Sequence, residues 1–244
     1  MSTKPNGIIL YRGPSKLDGS PIVAILTGLQ SASTNRKTGD MLQTWILRSD
    51  VSPTDAVKSG DDAGICGACV HRGHDGKGRT CYVTVVQAPT VVYHAYKRGI
   101  YPRATAKHFN AIAGRPIRFG SYGDPVAVPV DTWANLLRFT KQWTGYTHQW
   151  RNCHPAYQYL CMASVDSESE YREAKAQGWR TFRVRRSDAP LLASECVCPA
   201  SDEGHHKTTC AGCVLCRGVA SRAKDVVIMA HGTGKRLFQL EVVK

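Results

Sequence analysis

Residues 160–185 read LCMASVDSESEYREAKAQGWRTFRVR, and this stretch decides the fold. "LCMASVDS" is an apolar run that closes on polar residues, a strand by pattern. "ESEYREAKAQ" consists of good helix formers, Gly178 stops it, and "WRTFRVR" is a second strand. Strand, helix and strand in succession imply parallel pairing with a crossover helix. The unit extends in both directions. Upstream, "APTVVYHAYKRG" (88–99) is a helix with Pro89 near its start and Gly99 at its end. "RPIRFGSYGDP" (115–125) is a strand ending in a Gly-rich turn. "VDTWANLLRFTKQW" (130–143) is helical, with Trp133, Leu136, Leu137 and Phe139 as its apolar positions and Asp131 near its start. "YTHQW" (146–150) is a short strand. Downstream, "DVVIMAHG" (225–232) and "LFQLEVV" (237–243) read as the last strands.

The beginning of the chain has a different character. "GIILYRG" (7–13), "PIVAILTG" (21–28) and "MLQTWILR" (41–48) are β-rich runs, and "STNRKTGD" (33–40) is turn chemistry. "SDVSPTDAVKSGDDAG" (49–64) reads as a polar connector. The expected organisation is therefore an N-terminal β-rich segment, 1–60, followed by an α/β domain, 61–244, with cysteine-rich metal-binding loops at 66–81 and 196–216. The units are too few for an eight-stranded barrel. The expected fold is a partial (β/α) barrel or an open, mostly parallel sheet.

The chain has 244 residues, of which 42% are hydrophobic and 21% charged, a globular composition. No signal peptide and no membrane span is recognisable, so a soluble, cytoplasmic protein is expected. Lys and Arg number 32 against 19 Asp and Glu, a formal charge of +13. Such an excess favours a polyanionic partner, nucleic acid first, DNA or RNA alike. One basic, aromatic stretch carries that expectation: "YHAYKRGIYPRATAKHF" (93–109). Tyr96 and Tyr101 are placed to stack bases, and Lys97, Arg98 and Arg103 to meet phosphates; a solvated basic helix face is the plain alternative. In "FRVRR", Phe182 and Val184 are expected to face inward and Arg183 and Arg185 outward.

Ten cysteines without an export signal point to metal or redox chemistry rather than a disulfide scaffold. The spacing C-x11-C-x2-C-x2-C joins Cys198, Cys210, Cys213 and Cys216, a complete four-thiolate set for zinc or an iron-sulfur cluster. Its consecutive C-x2-C steps are more ferredoxin-like than finger-like, with Cys196 a spare ligand and His205 and His206 solvated loop residues. Cys66, Cys69 and Cys81 form a C-x2-C-x11-C set that runs into the β-branched "YVTVV". Either His71 or His74 closes a zinc site there, or an iron-sulfur cluster keeps an open position. Cys153 and Cys161 read as small buried hydrophobes. Asp124, His148, Asp166 and His231 stand near expected strand ends, where α/β folds collect chemistry, and the first three are the candidate catalytic residues.

The ending "CPAS…TTCAGCVLC…DVVIMAHG", the Cys81-Tyr82 pair and the Gly123-Asp124 pair resemble uncharacterised bacteriophage proteins of the gene-product-88 type over residues 64 to 232. That resemblance implies a phage or prophage origin, hence a host-cell cytoplasm, and no particular reaction. A more distant, topology-level likeness is to radical S-adenosylmethionine enzymes, whose partial barrel carries a three-cysteine loop after its first strand and a "GGEP"-like turn after its second. "YGDP" (122–125) sits at the corresponding place, although the usual loop is C-x3-C-x2-C. The likeness implies S-adenosylmethionine near Gly120, Gly123 and Asp124, with the later cysteines holding an auxiliary cluster. The function expected is a cysteine-cluster metalloprotein acting on or binding nucleic acid, in its enzymatic version a radical-type modifying enzyme. The alternatives are a non-catalytic, zinc-stabilised nucleic-acid-binding protein and a phage factor that binds a host protein.

Overall fold

The computed structural model describes residues 4–31, 33, 35–73 and 78–241, with 239–241 as backbone alone. The chain is α/β, with two five-stranded sheets, the first mixed and the second parallel. The first sheet contains β1 (Gly7–Pro14), β2 (Pro21–Thr27), β3 (Leu42–Arg48), β4 (Ile117–Tyr122) and β5 (Trp143–Thr144), in that spatial order. β1, β2 and β3 form an antiparallel meander, and β3–β4 and β4–β5 pair in parallel. The second sheet contains β6 (Tyr146–Thr147), β7 (Met162–Val165), β8 (Thr181–Arg185), β9 (Glu195–Val197) and β10 (Asp225–Met229), in the order β6-β7-β8-β10-β9, parallel throughout.

A single residue joins the sheets. Gly145 separates β5 from β6; its N–H donates to the Cys216 carbonyl (3.0 Å) and its own carbonyl accepts from the Met162 N–H (2.9 Å). A Cβ here would stand 3.0 Å from both the Cys161 Sγ and the Leu160 carbonyl oxygen. Glycine lets the strand leave one sheet and enter the other at this close approach without pushing on either neighbour.

The helices are α1 (Pro53–Ser59), α2 (Ala63–Cys66), α3 (Ala88–Lys97), α4 (Ala106–Ala111), α5 (Val130–Leu137), α6 (Tyr157–Leu160), α7 (Glu168–Ala176), α8 (Cys210–Cys213) and α9 (Lys235–Glu241). The 160–185 stretch is β7–α7–β8 as expected. Ser167 caps α7 by accepting the Glu170 N–H (3.1 Å), and Glu168 and Glu170 in the first turn complement the helix dipole. Ile22, Val23, Ile25 and Leu26 of β2 are completely buried, each worth about 1.5–3 kcal/mol. They anchor a core that also takes in Phe119, Trp133 and Trp179. A second cluster holds Met41, Met162, Val226 and Ile228 with three cysteines.

Four expected element assignments fail, each for a physical reason. The "polar connector" 49–64 contains α1 and α2: Ser52 accepts the Asp55 N–H (3.2 Å) and Pro53 occupies the first turn, so a cap and a proline start a helix with almost no apolar stripe. "YVTVV" after Cys81 is not a strand; it has no neighbour to pair with and turns into α3. "LFQLEVV" is not a strand either, because Lys235–Glu241 is helical and buries Phe238; Val242 and Val243 lie outside the described residues. The helix expected over 130–143 stops at Leu137, and Trp143 belongs to β5.

On β8 the facing is reversed. Arg183 and Arg185 are 4% and 8% exposed, whereas Phe182 and Val184 turn to a cavity. Arg183 is buried because it forms a bidentate pair with Glu195, both bonds 2.7 Å, and Arg185 pairs with Glu203. Alternation gives the two faces of a strand but not which face is the apolar one when a carboxylate is waiting. Among the described residues no helix is long and apolar enough to cross a membrane.

Candidate metal centres around one cavity

Parallel strands deliver their C-terminal ends to one side, and a cavity of about 150 Å³ opens there. β4 contributes Gly120 to Tyr122, with Gly123 and Asp124 following. His148 follows β6, β7 carries Ser164, β8 carries Phe182 and Val184, and Ala230 and His231 follow β10. Cys66, Cys69 and Cys81 line the same cavity, and so does Cys210 of the later cysteine set.

The first cysteine segment is held by polar stitches. The Asp124 N–H donates to the Ile65 carbonyl (2.6 Å), Gln149 Nε2 to the Cys66 carbonyl (3.0 Å), and the Ala68 N–H to Gln149 Oε1 (3.1 Å). Buried Asp62 accepts two bonds from Arg72, at 2.8 and 3.0 Å, and one from Arg79. The backbone N–H groups of Thr80 and Cys81 both donate to the His71 carbonyl, closing the loop on itself. His74 lies outside the described residues.

At the centre stands Asp166, just past β7. It shares its oxygens between His71 Nε2 (2.9 Å) and His148 Nε2 (3.4 Å), and the Cys69 Sγ is 3.9 Å from the same His148 nitrogen. His71 Nδ1 is paired with the Thr80 hydroxyl (2.7 Å), which orients the ring. Burial by itself would raise the Asp166 carboxyl; the hydrogen bonds to His148 and His71 outweigh it and hold the group well below the usual carboxylate range. Burial would lower His148, but the Cys69 sulfur and Asp166 raise it well above the ordinary imidazole value. Burial pushes the Cys66 and Cys81 thiols up.

Asp124 plays a different part. Its carboxylate accepts from the Val126 N–H (3.0 Å), the Thr147 hydroxyl (2.8 Å), the His148 N–H (2.9 Å) and Gln149 Nε2 (3.4 Å). Its burial raises its pKa against the pull of those bonds. It ties the end of β4 to the end of β6 and so sets where His148 stands. Gly123 has φ 81°, and a Cβ there would meet Ile46 at 2.7 Å, so the turn alone demands glycine.

The later cysteines sit in apolar surroundings. Cys198, Cys210 and Cys216 are buried with Met41 and Met162, and Cys213 is half-buried. Thr209 caps α8, the Cys198 N–H is fixed to Val227 and the Cys210 N–H to the Lys37 carbonyl (2.8 Å for both). Arg180 covers this segment, donating to the carbonyls of Leu215, Gly218, Ala223 and Lys224. Burial, followed by the neighbouring thiols, raises Cys216. Cys196 lies on β9 with its Sγ 3.4 Å from the Asp225 carbonyl oxygen. His205 and His206 adopt positive φ in the loop, and His206 pairs with Asp202. Cys161 is fully buried and Cys153 half-buried.

Spacing separates the donor sets. Among the described residues, His71, His148 and Asp166 are the one group of three or more His, Cys, Asp or Glu whose ligand atoms all lie within 4.8 Å of one another. Tetrahedral zinc with bonds of about 2.3 Å brings thiolates to about 3.8 Å from each other. Neither cysteine set stands at that single-ion spacing; a polynuclear cluster spreads its thiolates further. Donor chemistry fits soft, thiolate-bound metal in both sets.

Arg118, Lys37, Tyr82, Tyr146, Phe182 and Val184 also line the cavity, and sequence reasoning missed them as site residues. An arginine inside a short strand carries no signal of its own; only the tertiary fold shows that it points inward. Burial, followed by Lys37, lowers His231, which stacks on Tyr82 (5.0 Å between centroids).

The residues expected to bind nucleic acid lie elsewhere. Tyr96 and Tyr101 are half-buried against the first core, Lys97, Arg98 and Arg103 are exposed, and none lines the cavity. Arg103 instead joins Arg12 and Arg138 along an outer groove of about 540 Å³ that also holds Tyr11, Phe109 and Phe139. Phe109 and Phe139 stack at 5.2 Å, and the Arg12 guanidinium stands 6.0 Å over the Tyr96 ring. No family model matches the chain, and no curated protein or solved structure is significantly similar to it.

Proposed function

We propose that the protein is an iron-sulfur enzyme that modifies nucleic acid or a nucleotide, with the cavity as its active site. One observation carries this reading: three cysteines of the first set and Cys210 of the second line a single cavity at the C-terminal ends of parallel strands, together with His148 and, through it, Asp166. Cys66, Cys69 and Cys81 would hold a cluster with an open position, and Cys198, Cys210, Cys213 and Cys216 an auxiliary one. When bound, an open-position cluster supplies one-electron chemistry to a molecule beside it. The juxtaposition of Gly120, Gly123 and Asp124 with three thiols favours S-adenosylmethionine as that molecule, on a partial-barrel reading of the joined sheets. In this reading Asp166 orients His148 and His71, and Asp124 fixes the backbone of His148, so both aspartates are positioning residues. The outer groove supports the nucleic-acid part: Arg12, Arg103 and Arg138 form no ion pair among the described residues and alternate with aromatic rings, the pattern of a single-strand channel.

Anaerobic purification tests the reading. Brown protein containing iron and acid-labile sulfide is expected, with Cys66→Ala and Cys210→Ala each removing part of it. Colourless protein carrying zinc alone would overturn it.

A specific observation favours a second reading, a single zinc ion on His71, His148 and Asp166 with Cys69 nearby: among the described residues, the two histidines and the aspartate are the one group with ligand atoms at single-ion spacing. One equivalent of zinc, lost in His148→Ala and retained in Cys81→Ala, is the result that would select it.

A further inference from the structure

Buried guanidinium groups in this chain come with partners. Arg183 is paired with Glu195, Arg185 with Glu203 and Arg72 with Asp62, while Arg180 is saturated by backbone carbonyls. Arg118 breaks the pattern. It is 9% exposed, its one side-chain hydrogen bond among the described residues runs from Nη2 to the Tyr82 hydroxyl (2.5 Å), and no carboxylate there pairs with it; its Nε, like that of the carboxylate-paired Arg185, is buried with no partner. It lines the cavity.

A second cationic group, Lys37 from the loop between β2 and β3, and an imidazole that can donate a hydrogen bond, His231 from the end of β10, reach the same cavity from separate segments. Neither Arg118 nor Lys37 forms an ion pair with a carboxylate among the described residues. The cavity-lining carboxylate, Asp124, has both oxygens engaged by the bonds that shape the β4 and β6 ends. A buried cation without a counter-charge is costly once water is gone. The wall beside it is apolar, formed by Phe182, Val184 and the Tyr146 ring.

We propose that Arg118, with Lys37 and His231, forms an oxyanion subsite that holds the phosphate or carboxylate of a small substrate whose apolar body rests on Phe182 and Val184. The proposal rests on the reading of the cavity as the active site and names the substrate class: a small anion with an apolar part. A guanidinium edge suits both oxyanions, because each offers two oxygens to parallel N–H donors. A volume of about 150 Å³ is of the size that admits benzene, so the apolar wall beside Arg118 suits a body of a single ring.

The experiment is titration of the purified, metal-replete protein with inorganic phosphate and, separately, with benzoate at constant ionic strength, followed by calorimetry and by thermal melting. Saturable binding of at least one of them is expected, with a matching rise in melting temperature. Arg118→Gln should weaken that binding at least tenfold while metal content and visible spectrum stay as in the wild type. Lys37→Gln, at a half-exposed position, should weaken it several-fold and serves the same purpose if the arginine variant does not fold. Absence of binding to the wild type overturns the proposal. So does a variant that binds as before but loses metal, or loses both together, because the cations would then balance the thiolates of the second set. Colourless protein that still binds through Arg118 would sink the cluster reading and keep this subsite; brown protein without binding would do the reverse.

Discussion

The first cysteine segment is held in place by charges and amides, the second by apolar side chains. Around Cys66 and Cys69 the work is done by Asp62, Arg72, Asp124 and Gln149, and the thiols face a cavity. Around Cys198, Cys210 and Cys216 the neighbours are Met41, Met162 and Val226, with Arg180 stapling the carbonyls above. A polar scaffold leaves room for a ligand because its bonds are directional and do not need to fill space. An apolar one gains its stability by filling space, so a metal bound there would act as part of the core. The two sets have similar cysteine content and differ in what surrounds them, and that difference predicts different responses to mutation.

The largest effect is expected from the cysteines. Cys210→Ala and Cys216→Ala should give poorly soluble protein depleted in metal, because binding energy at a structural site is folding energy, of the order of 10 kcal/mol for structural zinc. Cys66→Ala or Cys81→Ala should leave a folded protein that retains the second centre. Thermal melts with metal counts check this, and equal losses in both groups would erase the distinction. Next comes Asp62→Ala, which leaves Arg72 and Arg79 near a buried site without their carboxylate and should cost about 3–5 kcal/mol. Chemical denaturation measures the loss, and the second centre should remain loaded in the surviving fraction; if it empties first, the two scaffolds are not independent.

Asp166→Asn should cost about 1.5–3 kcal/mol, the value of hydrogen bonds to a charged group. The carboxyl is held below its ordinary value, so the stability it lends is present above about pH 4 and is lost as pH falls through the folded-state value. The variant should therefore show a flatter acid limb, read from denaturation midpoints across the acid range. A limb as steep as the wild type would mean that another carboxylate links the first segment to β7. The smallest effect belongs to the outer face, which serves as a control for both regions. Tyr96→Ala and Tyr101→Ala should weaken single-stranded nucleic acid binding by about 1–3 kcal/mol per lost stack, and Arg103→Ala should lower the salt slope by about one. Neither should change metal content; a loss of metal would show that these half-buried rings support the core instead.

Much of the fold was legible because its signals are local. The three N-terminal strands, β7–α7–β8 and β10 are apolar runs bounded by turn residues, and they stand where they were expected. Failures occur where a local pattern is short or is outvoted. Seven residues of α1 carry little periodicity, and only the Ser52 cap and Pro53 betray them. "LFQLEVV" has β-rich content, but it folds into the helix Lys235–Glu241, which buries Phe238.

The candidate site divides in the same way. Residue identity and spacing by themselves determined that thiols come in two sets, that Asp124, His148 and Asp166 stand at strand ends, and that the chain carries a large positive charge. These are properties of sequence position, which needs no long-range contact. It took the tertiary structure to bring the first cysteine set and Cys210 of the second to one cavity, to stand Asp166 between two histidines 95 and 18 positions away along the chain, and to bury Arg118 without a carboxylate among the described residues. The physical reason is that parallel strands, once stacked by crossover helices, bring their ends together whatever their separation in sequence. Burial and electrostatic partnership are set by that convergence and not by neighbours along the chain.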